Sequence, residues 1–309
     1  MESSALARFS WLVHAFSTRV GGSSQSPCQG LNLGFIASDR RPTVEQNRLR
    51  FFAALGVESF SFATLNQVHS SHVFRAIARQ PHGVDFIPAG GDAPLGLGNT
   101  LPAGDALITD QPGILLAVRT ADCLPILLVD PHHRAVAALH AGWRGALGRI
   151  AEKAVGAMRG VFGSNPYNLH AALGPGIGPC CYEVGEEVVS AFRGRFVNSE
   201  DFFKPAPADA QAAALAARYP NLFLSLSAPG HAPRSQPAAH LDLVSVIKHQ
   251  LVSAGLCTRR IYSPGFCTAC RTDLFFSHRK EGPRTGRMMA VVAIRPPAHP
   301  HREMIIADG

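Results

Sequence analysis

The feature that most constrains the fold is a pair of short apolar runs on either side of a turn signal. The first run covers residues 124–129, the turn signal Asp-Pro-His-His covers 130–133, and the second run covers 135–140. Short apolar runs bounded by turn residues are typical of β-strands, so the sequence predicts an antiparallel hairpin. With the turn centred in the middle of 130–133, Cys123 would lie opposite His140. Directly opposed residues have Cβ atoms about 4.5–5.5 Å apart and point to the same face of the sheet.

The remaining strands and helices follow no regular order along the chain. Further strands are predicted at 114–118, 168–173, 260–262 and 288–294, and helices at 147–161, 183–195 and 243–252. Gly255 is expected to end the last of these helices in a left-handed conformation. Because strands and helices do not alternate regularly, the pattern favours an α+β sandwich of layers over a doubly wound parallel sheet.

Composition and charge narrow the class of protein. Of the 309 residues, 46% are hydrophobic and 17% are charged, which indicates a globular protein with a buried core. No apolar stretch approaches the roughly 20 residues of a membrane span. No basic and then apolar leader opens the chain, so we expect a cytoplasmic protein. The net charge of +7 is spread along the chain without basic and aromatic clusters, so we expect no nucleic-acid or membrane partner.

Cys123 and His140 admit three interpretations. They could share a metal ion, act as a nucleophile and its base as in cysteine hydrolases, or form a buried thiol beside a hydrogen-bonded histidine. A third ligand would favour the metal, and the segment 66–72 offers His69 and His72. Two histidines and one thiolate would form an open zinc site, with the fourth position left for water or substrate. Cu²⁺ is the alternative metal, although it prefers tetragonal nitrogen and oxygen sites.

The other cysteines are expected to be ordinary thiols. There are seven in all, and an odd number without a secretory leader argues against a disulfide framework. The motif 267–270 is a single C-x-x-C with no partner pair, so two ordinary thiols near a turn are expected rather than a structural zinc. The pair 180–181 is expected to cap a Gly/Pro loop by packing. Asp122, next to the cysteine of the predicted site, is expected to orient a ligand through a hydrogen bond.

Five ordered motifs resemble those of the YfiH family, which is also called the laccase-domain or polyphenol-oxidase family. They are Asn66-Gln67-Val68-His69, Thr120-Ala121-Asp122-Cys123-Leu124-Pro125, His140-Ala141-Gly142-Trp143-Arg144-Gly145, the glycine-rich loop 174–185, and Phe275-Phe276-Ser277-His278-Arg279 with Thr285-Gly286-Arg287. The resemblance covers residues 12–295 and implies a single catalytic domain. A Pro/Ala-rich insertion is expected at about 204–240, and a C-terminal tail at 296–309. Two positions depart from the family pattern, Ser70 where glycine is common and His278 where tyrosine is usual.

The resemblance also implies a fold, a metal site and substrate contacts. The implied fold is a layered α/β/β/α sandwich of mixed sheets, shared distantly with a bacterial deamidase toxin. The implied metal is zinc, held by the residues that match His69, Cys123 and His140. The implied substrate or phosphate contacts are Asn32, Arg48, Gln67 and Arg144.

The activity follows from the same resemblance. The family is associated with phosphorolysis of adenosine, inosine and methylthioadenosine, with adenosine deamination, and in some bacteria with editing of peptidoglycan precursors. We therefore expect a zinc-dependent purine nucleoside phosphorylase that uses Cys123, His140 and Arg144 in catalysis. Its expected partners are a purine nucleoside and inorganic phosphate. The alternatives are a cysteine hydrolase or amidase with Cys123 as nucleophile, and a copper polyphenol oxidase (laccase).

Overall fold

Two mixed β-sheets packed face to face form the centre of the molecule. The computed structural model describes residues 1–80, 83–90, 100–205 and 239–297. Its strands, in chain order, are β1 Leu12–Phe16, β2 Ser61–Ala63, β3 Val73–Ala78, β4 Val84–Pro88, β5 Ala106–Thr109, β6 Ile114–Thr120, β7 Leu124–Asp130, β8 Ala135–Ala141, β9 His170–Leu173, β10 Glu183–Val184, β11 Phe203–Pro205, β12 Ala239–Leu241, β13 Ile261–Tyr262 and β14 Met288–Ile294. Its helices are α1 Arg41–Leu55, α2 Trp143–Leu147, α3 Ile150–Phe162, α4 Glu186–Arg193, α5 Leu243–Ser253 and α6 His278–Glu281.

Each of the two sheets contains both parallel and antiparallel pairs. The smaller sheet has the order β1-β14-β6-β2, with β2 parallel to β6 and the other pairs antiparallel. The larger sheet has the order β13-β9-β7-β8-β5-β3-β4, with β13/β9 and β3/β5 parallel and the other pairs antiparallel. Apolar side chains from both inner faces, among them Leu116, Leu127 and Val292, form one buried cluster between the sheets.

Helices cover the two outer faces and complete four layers. Helices α3, α4 and α5 pack on the larger sheet, where Met158, Phe192 and Ile247 belong to one buried cluster with its outward-facing residues. Helix α1 covers the smaller sheet, where Phe51 packs in a cluster with Leu115. Burial of each such side chain stabilises the fold by about 1.5–3 kcal/mol. The layers are therefore α/β/β/α, and the mixed sheets confirm the predicted α+β class.

The hairpin of β7 and β8 forms as predicted, but its register differs by two residues. Pro125, and not Cys123, pairs with His140. The turn is longer than expected because Arg134 joins it in a left-handed conformation, with φ 47°. Side chains along a strand alternate with a period of two, so a shift of two residues keeps Cys123 and His140 on the same face. The predicted pairing was wrong, whereas the predicted proximity of the two side chains is confirmed.

The helix predicted at 147–161 is confirmed as α3, except that its predicted first residue, Leu147, belongs to a separate short helix. Helix α2 ends at Leu147, and α3 begins at Ile150 after Arg149, whose backbone is left-handed with φ 60°. Gly255 follows α5 with φ 101°, which confirms its predicted conformation. In the part of the chain that the structure describes, no helix combines the length and apolarity needed to cross a bilayer.

A third, small sheet of β10, β12 and β11 flanks the predicted insertion. Pro205 on β11 pairs with Ala239 on β12, so the two described residues on either side of 206–238 lie on neighbouring strands. Most of the insertion predicted at 204–240, and most of the tail predicted from residue 296, lie outside the described residues. The domain boundaries therefore stay predictions.

Candidate metal centre and adjoining cavity

Two imidazoles and one thiol converge at one end of the β7–β8 hairpin. His69 precedes β3, Cys123 precedes β7, and His140 is the penultimate residue of β8. One ligand atom from each lies within 4.8 Å of the other two, and Cys123 Sγ is 3.7 Å from His69 Nε2. His72, the alternative candidate, is not part of this group, and its Nδ1 lies 3.4 Å from the Ala103 carbonyl. The structure therefore brings the three predicted ligands together.

A buried carboxylate that no sequence motif indicated fixes this arrangement. Asp105 directly precedes β5, is fully buried, and accepts a hydrogen bond from His140 Nδ1 at 2.8 Å. The same carboxylate accepts the backbone amides of Val68, His69 and Ser70 at 2.6–3.2 Å. Because Nδ1 of His140 is held by Asp105, Nε2 is the ring nitrogen that can bind a metal together with His69 and Cys123, once it gives up its proton. An aspartate before an apolar strand was the available signal in the sequence, and it indicates a turn equally well.

Asp122 does not have the role predicted for it. Its carboxylate accepts the Thr268 hydroxyl and the Arg279 backbone amide, each at 2.6 Å, rather than a histidine ring. These bonds hold the residue before Cys123 against the loop of Thr268 and against the first turn of helix α6, both in the C-terminal part of the chain. The backbone of Asp122 is left-handed with φ 91°, so this tether also fixes an unusual conformation. The acceptor that orients a ligand is Asp105 instead.

Gly142 allows the ligands to approach one another. A Cβ atom at this position would lie 2.8 Å from His69 Cδ2 and 3.1 Å from Cys123 Sγ. Both distances are shorter than ordinary van der Waals contacts, so a side chain here would displace two of the three ligand residues. Close packing against the site therefore explains the glycine in the motif that begins at His140.

Cys123 and His140 alter each other's protonation. Burial alone would raise the pKa of the Cys123 thiol, but the charges and hydrogen bonds of His140 and His69 lower it to about 6. Burial alone would lower the pKa of His140, but the Cys123 thiolate and Asp105 raise it to about 9. At neutral pH Cys123 is therefore a thiolate, which is the form required of a metal ligand or a nucleophile.

The donor set fits a metal ion with an open coordination position. Two imidazole nitrogens and one thiolate form a mixed set, and three protein ligands leave one tetrahedral position free for water or substrate. Among the described residues, no fourth histidine, cysteine or carboxylate joins this group. A centre holding several coppers would need more histidine ligands than the described residues supply here.

A cavity of about 500 Å³ opens beside the three ligands and carries positive charge. The arginines that line it are Arg119, Arg144, Arg279 and Arg287. The side chains of Arg119, Arg279 and Arg287 donate to backbone or amide oxygens, which leaves their charges uncompensated by these bonds. Burial lowers the pKa of Arg119 and of Arg287, and repulsion from Arg287 lowers that of Arg119 further. Such a cavity favours an anionic ligand.

The predicted substrate residues divide into two groups. Gln67 and Arg144 line the cavity, and their predicted contacts with substrate stay predictions. Asn32 is fully buried and does not line the cavity; its Oδ1 accepts the backbone amide of Arg287 at 2.8 Å, so it positions a residue that does. Arg48 is also outside the cavity lining, and its Nε donates a hydrogen bond to the Leu33 carbonyl at 2.9 Å. Sequence reasoning missed three of the four lining arginines, although two of them stood in motifs already quoted.

Comparisons with known proteins agree with the resemblance. A family model described as "Multi-copper polyphenol oxidoreductase laccase" matches residues 13–295. A Deinococcus radiodurans protein named purine nucleoside phosphorylase is 38% identical over 281 residues, which cover 91% of this chain and 88% of that protein. A protein of an unknown prokaryotic organism named adenosine deaminase is 33% identical over 282 residues, which cover 89% of this chain and 91% of that protein. The crystal structure of YlmD from Geobacillus stearothermophilus matches with a TM-score of 0.72 at 30% identity, covering 95% of this chain and 94% of that one.

The matched range contains all five motifs and the candidate ligands His69, Cys123 and His140. The relatives carry the names of two different purine nucleoside enzymes, and the family model carries the name of an oxidase, so the names agree on a family and not on one reaction. The chain belongs to the multi-copper polyphenol oxidoreductase laccase family, which is the family of YfiH and YlmD.

Proposed function

We propose that the chain is a zinc-dependent purine nucleoside phosphorylase acting on adenosine and inosine, with methylthioadenosine as a further substrate. The observation that supports this most directly is the presence, in one cavity, of three convergent metal ligands and four arginines. The names of the relatives point to the same class of substrate.

Phosphorolysis requires a site that holds a dianion beside a nucleoside. A phosphate oxygen attacks the anomeric carbon of the ribose, the bond from that carbon to the purine nitrogen breaks, and its electron pair leaves with the purine, which takes up a proton. The products are ribose 1-phosphate and the free base. Arg119 and Arg287 would bind the phosphate, because an anion beside them would offset the burial that lowers the pKa of both and the repulsion from Arg287 that lowers the pKa of Arg119. Arg144 would add a third contact, and its guanidinium is held 4.4 Å from the centre of the Trp143 ring.

The purine has aromatic partners on the same cavity wall. Trp143 and Tyr182 line the cavity together with the apolar Ile177. Burial raises the pKa of Tyr182, so its phenol stays protonated at neutral pH and can donate a hydrogen bond to a ring nitrogen. Stacking of a base on an aromatic side chain is worth about 1–3 kcal/mol. The wall can therefore hold a neutral, flat base while the arginines hold the anion.

Zinc is the metal that the donor set favours, because it accepts mixed imidazole and thiolate ligands, whereas Cu²⁺ prefers tetragonal nitrogen and oxygen sites. Bound to these ligands, it would supply a Lewis acid at its open position. The chain's own contribution is to hold Cys123 as a thiolate and to keep the Nδ1 proton of His140 on Asp105. A centre with three ligands does not provide the several coppers of a polyphenol oxidase.

Adenosine deamination is a second candidate reaction at the same site, and the name of one relative favours it. That reaction replaces the purine amino group with oxygen from water and releases ammonia, so it needs water but no phosphate. A cysteine amidase would use the Cys123 thiolate and His140 directly. It would consume no nucleoside.

The test is the phosphate dependence of inosine cleavage in wild type and in Arg144→Ala. Arg144 is exposed, so the variant is expected to fold. A bidentate phosphate contact is worth about 1.5–3 kcal/mol, which predicts turnover about 10- to 150-fold slower. Zinc content should stay at the wild-type level. Arg159→Ala, which removes an exposed arginine of α3, is the matched control and should have wild-type turnover.

The products of the wild-type reaction decide between the alternatives. Hypoxanthine and ribose 1-phosphate should appear together, and only when phosphate is added. Hypoxanthine released equally fast in phosphate-free buffer would refute phosphorolysis and indicate a hydrolase. Failure to consume any purine nucleoside would instead support the amidase.

A further inference from the structure

Four cysteines from two distant parts of the chain meet outside the cavity. Cys180 and Cys181 follow the Gly/Pro loop after β9, and Cys267 and Cys270 form the C-x-x-C motif after β13. Their sulfur atoms all lie within 4.8 Å of one another. The expectation that the C-x-x-C motif has no partner pair was therefore wrong, because the pair lies about 90 residues earlier in the chain. Such separation hides the constellation from any reading of local spacing.

The two loops are joined by backbone hydrogen bonds that hold the thiols in place. Gly176 and Cys267 form an isolated parallel β-bridge, and the Thr268 amide donates to the Gly176 carbonyl at 3.0 Å. The Gly178 amide donates to Cys267 Sγ at 3.2 Å. Hydrogen bonds from backbone amides to sulfur stabilise a thiolate and orient it, as they do around metal-bound cysteines. The thiols thus lie in a scaffold formed by main-chain bonds and not on free surface loops.

We propose that these four thiolates bind one zinc ion at a structural site separate from the His69–Cys123–His140 centre. Zinc bonds four thiolates tetrahedrally at about 2.3 Å, which separates neighbouring sulfurs by about 3.8 Å. Cys270 Sγ lies 3.4 Å from the sulfurs of both Cys180 and Cys181. A disulfide would place Cys270 close to one sulfur only. Equal distances to two sulfurs, within a group of four, are expected where the cysteines share one ion. Four protein ligands also close the coordination sphere, as in structural rather than catalytic zinc sites.

The proposed site stabilises one wall of the cavity. Ile177 and Tyr182, on either side of the first cysteine pair, line the cavity. Thr268, between the second pair, donates its hydroxyl to Asp122 at 2.6 Å, and Asp122 immediately precedes Cys123. The four-thiolate site therefore joins two loops. One carries Tyr182, the proposed purine contact, and the other carries Thr268, which holds Asp122 in place before Cys123. Its role is positional, since its sulfurs are not part of the cavity lining.

The first test counts zinc in protein purified under reducing conditions. Wild type should hold two zinc ions per chain, and Cys270→Ser should hold one. Cys257→Ser is the matched control, because Cys257 is a partly buried cysteine outside both groups, and it should keep two. Cys123→Ser should also hold one, namely the ion of the four-thiolate site. The two variants thus separate failure of this proposal from failure of the proposed catalytic centre.

The second test needs no variant of the four cysteines, so it stands even if Cys270→Ser does not fold. X-ray absorption at the zinc edge of Cys123→Ser should show four sulfur neighbours at about 2.3 Å and no nitrogen at 2.0–2.1 Å. Thiol titration of unfolded, unreduced wild type should find all seven cysteines free. A zinc-free Cys123→Ser, fewer than seven free thiols, or copper or iron in place of zinc would each overturn the proposal.

Discussion

Replacing the buried carboxylate of Asp105 by an amide is the sharpest test of how the candidate centre is held. In Asp105→Asn one oxygen becomes an NH₂ group of nearly the same size. Asp105 Oδ1 accepts from His140 Nδ1 and the His69 amide, and Oδ2 accepts from the amide and hydroxyl of Ser70. Whichever oxygen is replaced, the new NH₂ group then faces N–H or O–H donors and cannot accept their hydrogen bonds. If the amide nitrogen faces His140, that ring shifts its proton to Nε2 and can no longer bind a metal there.

The expected loss of metal affinity follows from this geometry. Removing the acceptor behind a metal-binding histidine typically weakens metal binding about 10- to 100-fold. That corresponds to about 1.4–2.8 kcal/mol at tenfold per 1.4 kcal/mol. We expect the upper part of the range, because Asp105 also organises the segment of His69 and so acts on two ligands at once.

The assay measures zinc affinity by competition between the protein and a chelating dye. The zinc ion that is absent from Cys123→Ser is assigned to the His69–Cys123–His140 centre, and the affinity for that ion is compared. Asp130→Asn is the control: Asp130 is also buried and also accepts a histidine ring, His133 Nδ1 at 2.8 Å, at the opposite end of the same hairpin. Its amide variant should lower the free energy of unfolding and leave zinc affinity unchanged. Equal zinc affinity in wild type and Asp105→Asn, or equal losses in the two variants, would refute the reasoning.

Two further predictions concern packing and pH. Gly142→Ala places a Cβ atom 2.8 Å from a ring carbon of one proposed ligand, so it should abolish zinc binding at that centre by elemental analysis. Gly160→Ala, in α3 with no atom within 4 Å of the new Cβ, should retain zinc and raise the free energy of unfolding by about 0.5–1 kcal/mol; zinc retained in both would contradict the packing argument. Burial and two nearby arginines lower the pKa of His170 to about 4, whereas the unfolded chain binds that proton near pH 6.5. The free energy of unfolding, measured by urea denaturation, should therefore fall as the pH drops from about 6.5 to 4, and it should fall less steeply in His170→Asn. The same dependence on pH in wild type and in the variant would contradict this.

Local patterns predicted most of the elements and the proximity of Cys123 to His140, because these depend on residues that are near one another in the sequence; the choice of His69 came from the resemblance. The β7–β8 hairpin followed from two apolar runs and a turn signal, and its register was wrong by two because nothing in the sequence showed that Arg134 would enter the turn. A shift of one residue would have moved Cys123 to the other face, whereas a shift of two did not. The predicted proximity of Cys123 and His140 was confirmed despite the error of register, because side-chain direction has a period of two.

Long-range features were beyond the same reasoning. Asp105 contacts a ligand 35 residues away, and the cysteine pairs meet across about 90 residues. Neither separation leaves a spacing signal in the sequence. The family resemblance named His69, Cys123 and His140, but it carried no information on which carboxylate supports them. It also suggested substrate contact for Asn32, whose side chain lies outside the cavity lining and accepts the backbone amide of Arg287.

The backbone at the candidate centre departs from local preference at two positions that matter to the ligands. His69 is itself left-handed with φ 60°, and Asp122, which precedes Cys123, has φ 91°. Conformations of this kind are uncommon for residues other than glycine, and they persist where surrounding contacts hold them. Here the contacts are specific: Asp105 accepts the His69 amide, and Thr268 with Arg279 holds the Asp122 carboxylate. Two candidate ligands of the same centre are therefore oriented by tertiary hydrogen bonds against local backbone preference, which is expected of residues placed for binding rather than for packing.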